Sequence, residues 1–267
     1  MTLTPESGRG RPSFLDDLVA GAQKRVEAGK TVLTDDVLEQ RLAAAPPPRS
    51  LDAALRGPGM SLIAEIKRAS PLKGPLDLDL DAGRLARTYA EAGASALSVL
   101  TEPDGFKGSL DDMAAALGAG LPVLRKDFLV DPWQVMESRA AGADAVLLIA
   151  RVVGDGLAEL VAAARSLGMD ALVEVHHEEE LDDALGAGAT LIGVNHRDLT
   201  TFEVDPERTA KLAPLIPHEL PVVALSGVSE RREVEELEAA GAAAVLVGEA
   251  LVTATDPAAK LRELLGR

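Results

Sequence analysis

Five residues of this chain join a charge or amide to an apolar neighbourhood in a way that suits proton transfer. Glu65 and Lys67 fall in LIAEIKRASP (62–71), Lys126 follows PVLR, Glu174 interrupts LVEV, and Asn195 closes LIGV. Desolvation favours the uncharged form of a lysine or a carboxylate, which fits either group for general acid or base work, and a lysine so placed also forms Schiff bases. The Asn195 amide suits the orientation of a hydroxyl or carboxylate. Plainer roles compete at each position. Glu65 and Lys67 are two apart, so on a strand they share a face and suit a mutual salt bridge. Lys126 could bridge to Asp127 or Asp131, and Glu174 could serve only as a partner for Lys126.

A second group of residues suits an anionic ligand. SGVS (226–229) and GEAL (248–251) each turn from an apolar run toward a helix, with glycine at 227 and 248. Ser226, Gly227, Gly248 and Glu249 are therefore candidates for a phosphate cradle of backbone N–H groups. Arg197, in GVNHRDL, suits a carboxylate through paired hydrogen bonds. Ser70 and Lys73 lie in RASPLKGP, which reads as a bent, substrate-covering loop. Phe106 and Phe128 stand beside strand ends in a chain with only six aromatic side chains, and each either flanks a ring or fills space. His176, His177 and His196 share no ligand spacing with an acid and read as rim or surface residues. No metal and no cofactor are expected.

The elements that must bring these residues together follow a repeat. EAGAS (91–95), AAGAD (140–144), GAGAT (186–190) and AAGAA (239–243) each end a helical pattern at glycine and lead into an apolar run. Weaker stops lie between them, so the period is about 25 residues, one strand plus one helix. Strands are predicted near 61–67, 96–100, 122–126, 145–150, 171–175, 191–195, 221–226 and 244–248. Helices are predicted near 82–92, 109–117, 132–141, 154–167, 178–186, 206–213, 229–240 and 256–265, with a short extra one at 248–253. Eight of each predicts an α/β fold, a single (β/α)8 TIM barrel, in which residues far apart in sequence meet on one rim. Residues 1–12 are expected to be a mobile tail. Residues 13–58 are expected to be a helical extension capping the barrel at 59–267, with helices at 14–28 and 34–44, Thr34 capping the second, and a stiff APPPRS link (45–50).

Composition narrows the function further. The chain has 267 residues, a formal net charge of −16 and no cysteine. That excludes a disulfide framework and a thiolate nucleophile, and it disfavours nucleic acid. No apolar run spans a bilayer and MTLTPESGRGRPS has no secretory core, so a cytoplasmic protein without membrane contact is expected.

Taken together, LIAEIKRASPLKG, LSVLTEPDGFKGSL, LPVLRKDFLVDPWQVMESRAAGADAVLLIA, LVEVHHEEEL, LIGVNHRDL, SGVS and VGEAL resemble the indole-3-glycerol phosphate synthase family. The resemblance implies a lyase of tryptophan biosynthesis. Its reaction closes the ring of 1-(2-carboxyphenylamino)-1-deoxyribulose 5-phosphate, with loss of CO2 and water. It implies Lys126 as general acid, Glu174 as general base, Lys67 as substrate contact and second proton donor, and Glu65 as support for the lysines. It further implies Asn195 as orienting group, Phe106 and Phe128 flanking the anthranilate ring, and Ser226, Gly227, Gly248 and Glu249 holding phosphate. The partner is then a small anionic sugar phosphate. A monomer is expected, at most weakly associated with other enzymes of tryptophan biosynthesis.

One departure stands out. The family usually carries glutamate just before the serine of the seventh strand, whereas ALSG puts Leu225 there. Losing one charged hydrogen bond costs about 1.5–3 kcal/mol of transition-state binding, which predicts a slower enzyme or a relaxed specificity. Leu72 also replaces a residue that is usually small and polar. The alternatives are a ligand-binding or regulatory relative with impaired turnover, and another sugar-phosphate barrel enzyme. The neighbouring pathway isomerase typically uses a cysteine, which this chain lacks.

Overall fold

A computed structural model describes residues 13–198 and 200–267. The expected mobile tail, 1–12, lies outside the described residues. Eight parallel strands form a closed barrel: β1 (Ser61–Ile66), β2 (Ala96–Leu100), β3 (Val123–Lys126), β4 (Ala145–Ile149), β5 (Asp170–Val175), β6 (Leu191–Asn195), β7 (Val222–Leu225) and β8 (Ala244–Val247). Each strand pairs with its neighbours in sequence. The ring closes where Ser61 to Ala64 of β1 register with Ala244 to Val247 of β8.

The glycine repeat has the conformational cause read from it. Gly93, Gly142, Gly188 and Gly241 all take positive φ, between 78° and 102°, where a Cβ would be strained. The chain can therefore leave each helix and enter the next strand within a few residues.

Strand alternation sorts the side chains into two layers. Leu62, Ala64, Val99, Val146, Val173 and Val245 face the surrounding helices. Ile63, Leu124, Leu147, Leu172, Leu191, Val223 and Leu246 fill the interior. Residues of the same parity further along each strand therefore reach the C-terminal rim from inside, which is what gathers the polar strand ends.

Among the described residues three helices precede the barrel: α1 (Phe14–Val32), α2 (Asp35–Ala44) and α3 (Leu51–Leu55). They serve different places. α1 runs four residues longer than its apolar stripe predicts, and its Arg25 pairs with Glu102, Asp104 and Asp127 beyond β2 and β3. α2 packs on the helix Pro132–Ala140, with Leu38, Val26 of α1 and Trp133 forming a small cluster. α3 is not foreseen in the sequence. Its fully buried Leu51 and Leu55 join the interior cluster. Arg49 and Ser50 tie it to Asp144 and Asp170 at the starts of β4 and β5, so it plugs the end of the barrel away from the polar rim.

Three local predictions differ from the structure. Thr34 occupies the N-cap of α2, but its side chain makes no capping hydrogen bond. The helix predicted at 206–213 is only Arg208–Leu212, followed by a 3-10 turn at Ala213–Leu215, because Pro214 has no N–H to continue it. The fourth strand ends at Ile149, and Ala150 already begins a short helix, Ala150–Val153. The RASPLKGP loop is braced by a small antiparallel hairpin, Ala69–Ser70 against Gly74–Pro75.

Candidate active site

The rim at the C-terminal ends of the strands opens into a cavity of about 340 Å³. Glu65, Lys67 and Ser70 enter it from β1 and its loop, Phe106 from the loop after β2, and Lys126 from the end of β3. Asn195 and Arg197 enter from β6, Ser226 and Gly227 from β7, and Gly248 and Glu249 from β8. Two predicted residues do not line it. Phe128 is 5% exposed and packs with the interior cluster beside Leu18 and Ala22 of α1. Glu174 is completely buried one side chain behind the wall, against Lys126 and Asn195.

Strand parity accounts for the first polar pair. Glu65 and Lys67 point inward together, and Lys67 Nζ lies 2.9 Å from Glu65 Oε1. The Glu65 carboxylate sits against the start of the loop after β8. A Cβ at position 248 would overlap Glu65 Oε1, so glycine there makes room for the acid as well as for the turn. Pairing offsets part of the cost of burying both charges.

The second polar group centres on Glu174. Lys126 Nζ is 3.6 Å from Glu174 Oε2, and the Asn195 amide donates to Glu174 Oε1 at 2.8 Å. Asn195 is itself held, because its Oδ1 accepts from the Arg197 backbone N–H at 3.1 Å. Neither rim partner weighed for Lys126 is used. Asp127 pairs with Arg125 and Arg25, and Asp131 with Lys30. The ammonium of Lys126 therefore faces Glu174 and the cavity.

Across the β7 and β8 ends the backbone turns sharply. Ser226 and Gly227 both have positive φ, 67° and 82°, and a serine there is a strained choice. Gly248 precedes the short helix Glu249–Val252. The Glu249 carboxylate lies 2.5 Å from Lys73 Nζ, so the loop after β1 is linked by charge to the loop after β8. Leu225 is 1% exposed, lines the cavity wall and occupies the space above Gly193. Leu72 is 55% exposed on the covering loop.

The reading of the histidines needs correction. Of the three, His177 is exposed, whereas His176 and His196 are buried to within a few per cent. His196 Nε2 lies 2.7 Å from Thr209 Oγ1, beneath the Ser226–Gly227 turn. Burial, aided by the nearby Arg208 charge, holds its pKa below the usual value. His176 lies behind Glu174, with Nε2 3.6 Å from Glu174 Oε1. Parity carries the signal for it: 172, 174 and 176 fall on one strand face, whereas 177 falls on the other.

A second cavity, of about 290 Å³, lies outside the barrel between α1 and the helix Pro132–Ala140. It contains none of the predicted residues. Arg125 in its wall is already paired with Asp127 and Glu137.

The family model for indole-3-glycerol phosphate synthase matches residues 15–264. The chain belongs to this family. It is 48% identical to indole-3-glycerol phosphate synthase of Mycolicibacterium smegmatis, over 95% of this chain and 94% of that one. It is 49% identical to indole-3-glycerol phosphate synthase 2 of Streptomyces coelicolor, over 95% and 99%. Among solved structures it resembles the N-acetylmannosamine-6-phosphate 2-epimerase of Clostridium perfringens, with a TM-score of 0.58 and 19% identity over 76% of this chain and 90% of that one. It also resembles 3-hexulose-6-phosphate synthase of Salmonella typhimurium, with a TM-score of 0.58 and 16% identity over 78% and 97%. At those identities the structural likeness speaks for the barrel alone.

Proposed function

We propose that this protein is an indole-3-glycerol phosphate synthase: a carbon–carbon lyase that converts 1-(2-carboxyphenylamino)-1-deoxyribulose 5-phosphate to indole-3-glycerol phosphate, CO2 and water. The observation that carries the reading is the Lys126–Glu174 pair, 3.6 Å apart, beside the same cavity that Lys67 and the β7 and β8 turns line. Lys126 Nζ, between Glu174 and the cavity, is the proton donor. It protonates the ketone oxygen as the carboxylate-bearing ring carbon attacks the carbonyl carbon. Departure of CO2 restores the aromatic ring. Lys67 then gives a proton to the leaving hydroxyl, and Glu174 accepts the proton lost as the indole forms.

The remaining residues position these steps. Glu65 holds Lys67, and Asn195 holds Glu174. Phe106 flanks the anthranilate ring, with Phe128 packing behind the site. Ser70 and Arg197 contact the anionic substrate, and the backbone at Ser226, Gly227, Gly248 and Glu249 receives the phosphate. In a chain of net charge −16, the cavity lysines supply the local attraction that a phosphate and a carboxylate need. The same reading makes the protein a cytoplasmic monomer that needs neither metal nor cofactor. Among the described residues no helix is long and apolar enough to cross a membrane. Light scattering is expected to give the mass of one chain, 27.8 kDa.

Leu225 gives the second reading a specific observation, because an apolar side chain fills the wall where the family places a carboxylate. A turnover assay that follows indole fluorescence separates the two. The synthase reading expects product from the wild type and a rate about 10- to 100-fold higher in Leu225→Glu. A wild type that binds a product analogue but makes no product, with turnover appearing only in Leu225→Glu, identifies a ligand-binding relative.

A further inference from the structure

His176 is a buried titratable group that the reaction sketched above does not use. Its side chain has no exposure, and neither does that of Glu174. Among the described residues, each of the two has an atom without a hydrogen-bond partner: Nε2 of His176 and Oε2 of Glu174. The histidine is fixed from its other side. Glu180 Oε2 accepts from the His176 backbone N–H at 2.7 Å and lies 3.1 Å from Nδ1.

The tautomer follows from Glu180. Burial works to raise its pKa, but His176 and Arg151 outweigh that and bring it down to about 2. An ionised carboxylate only accepts, so Nδ1 carries hydrogen. Nε2 is then the free position of the ring, 3.6 Å from Glu174 Oε1. Facing a carboxylate, a bare Nε2 opposes it lone pair to lone pair. Facing a protonated Glu174, it is an acceptor; carrying a proton itself, it is a donor to the carboxylate.

We propose that His176 is a positioning residue that shares one proton with Glu174, so that the base can change protonation state while wholly buried. The inference rests on the function proposed above. Protonated Glu174 with neutral imidazole, and Glu174 carboxylate with imidazolium, hold the same single proton. The proton that Glu174 accepts from the substrate is the one the pair shares: it passes to Nε2, while the Nδ1 hydrogen stays on the ring, donated to Glu180 Oε2. The other charged groups around the ring are accounted for. Lys126 approaches the far oxygen of Glu174, Arg151 binds Glu180 and Asp198, and the His177 ring lies 6.5 Å away. Asn195 donates to the same Oε1 at 2.8 Å.

Two variants and one spectroscopic measurement test this. His176→Asn keeps a donor near Glu180 and removes the nitrogen that faces Glu174. It is expected to lower kcat about 10-fold or more with KM within about 2-fold, and to move one limb of the kcat–pH profile. His176→Gln restores an amide near Nε2 that cannot exchange the proton, so it is expected to recover thermal stability without the wild-type profile. A wild-type rate and profile in His176→Asn would overturn the proposal, as would a lower rate with an unmoved profile. If the variants do not fold, 15N-histidine spectra of the wild type and of Glu174→Gln decide the matter. The pH at which the His176 ring changes state is expected to move by about half a unit or more when Glu174 is amidated; an unmoved titration overturns the shared proton. Wild-type turnover in the same assay separates failure of this inference from failure of the synthase reading.

Discussion

At the residue scale, the site is a matter of which strand positions are inward and late. Glu65, Lys126, Glu174 and Asn195 are legible because each is a polar residue at the end of an apolar run, and apolar runs in a parallel barrel end on one rim. His176 is not legible on the same rule, because it is the first of two adjacent histidines and lies just past the strand. Only counting by twos from Leu172 puts it inside. Phe106 and Phe128 show the opposite limit: both flank strand ends, and nothing in their spacing says that one ring meets the cavity and the other packs beneath it. Glu180 gives a test of the network behind the site. Its pKa is depressed from 4.5 to about 2. The stability it contributes is therefore complete above about pH 4.5 and is lost as pH falls toward about 2. Urea unfolding of Glu180→Gln is expected to show a deficit at pH 6 that shrinks steadily between pH 4.5 and pH 2; a deficit independent of pH would contradict the assignment.

At the scale of elements, the strands and main helices are legible because glycine with positive φ punctuates the repeat. The elements missed are those too short to show a period. LDAAL (51–55) follows three prolines and has five residues, yet it contributes two fully buried leucines to the plug. Its position makes a separable prediction. Leu55→Ala removes buried methyl groups at the end opposite the rim, so it is expected to cost about 2–5 kcal/mol in urea unfolding while leaving KM within about 2-fold. A large change in KM would mean that the plug and the site are coupled. At the other end, Gly248→Ala is expected to displace Glu65 and lower kcat/KM, with normal folding by circular dichroism, because the added methyl meets the carboxylate rather than the core.

At the scale of the molecule, the extension before the barrel is more than a cap on one side. α1 binds the rim loops through Arg25, while α3 seals the opposite end. A chain beginning at residue 57 would expose interior groups such as Ile63, Ala96 and Ala244 at the unplugged end. It is expected to bind a hydrophobic dye and to associate on size-exclusion chromatography, and a compact monomer without dye binding would contradict that role. The acidic surface was legible from composition, but its local reversal was not. Lys67, Lys73 and Lys126 are 6 and 53 residues apart in sequence, and only barrel closure brings all three to one cavity. The central claim is that this closure makes Lys126 the acid of the ring-forming step. The most direct measurement is product fluorescence from the carboxyphenylamino-deoxyribulose phosphate with wild type and Lys126→Gln side by side. Turnover by the wild type and a kcat lower by about 10²–10⁴ in the variant is the predicted result; equal rates in the two proteins, or no product from either at high enzyme concentration, would contradict it.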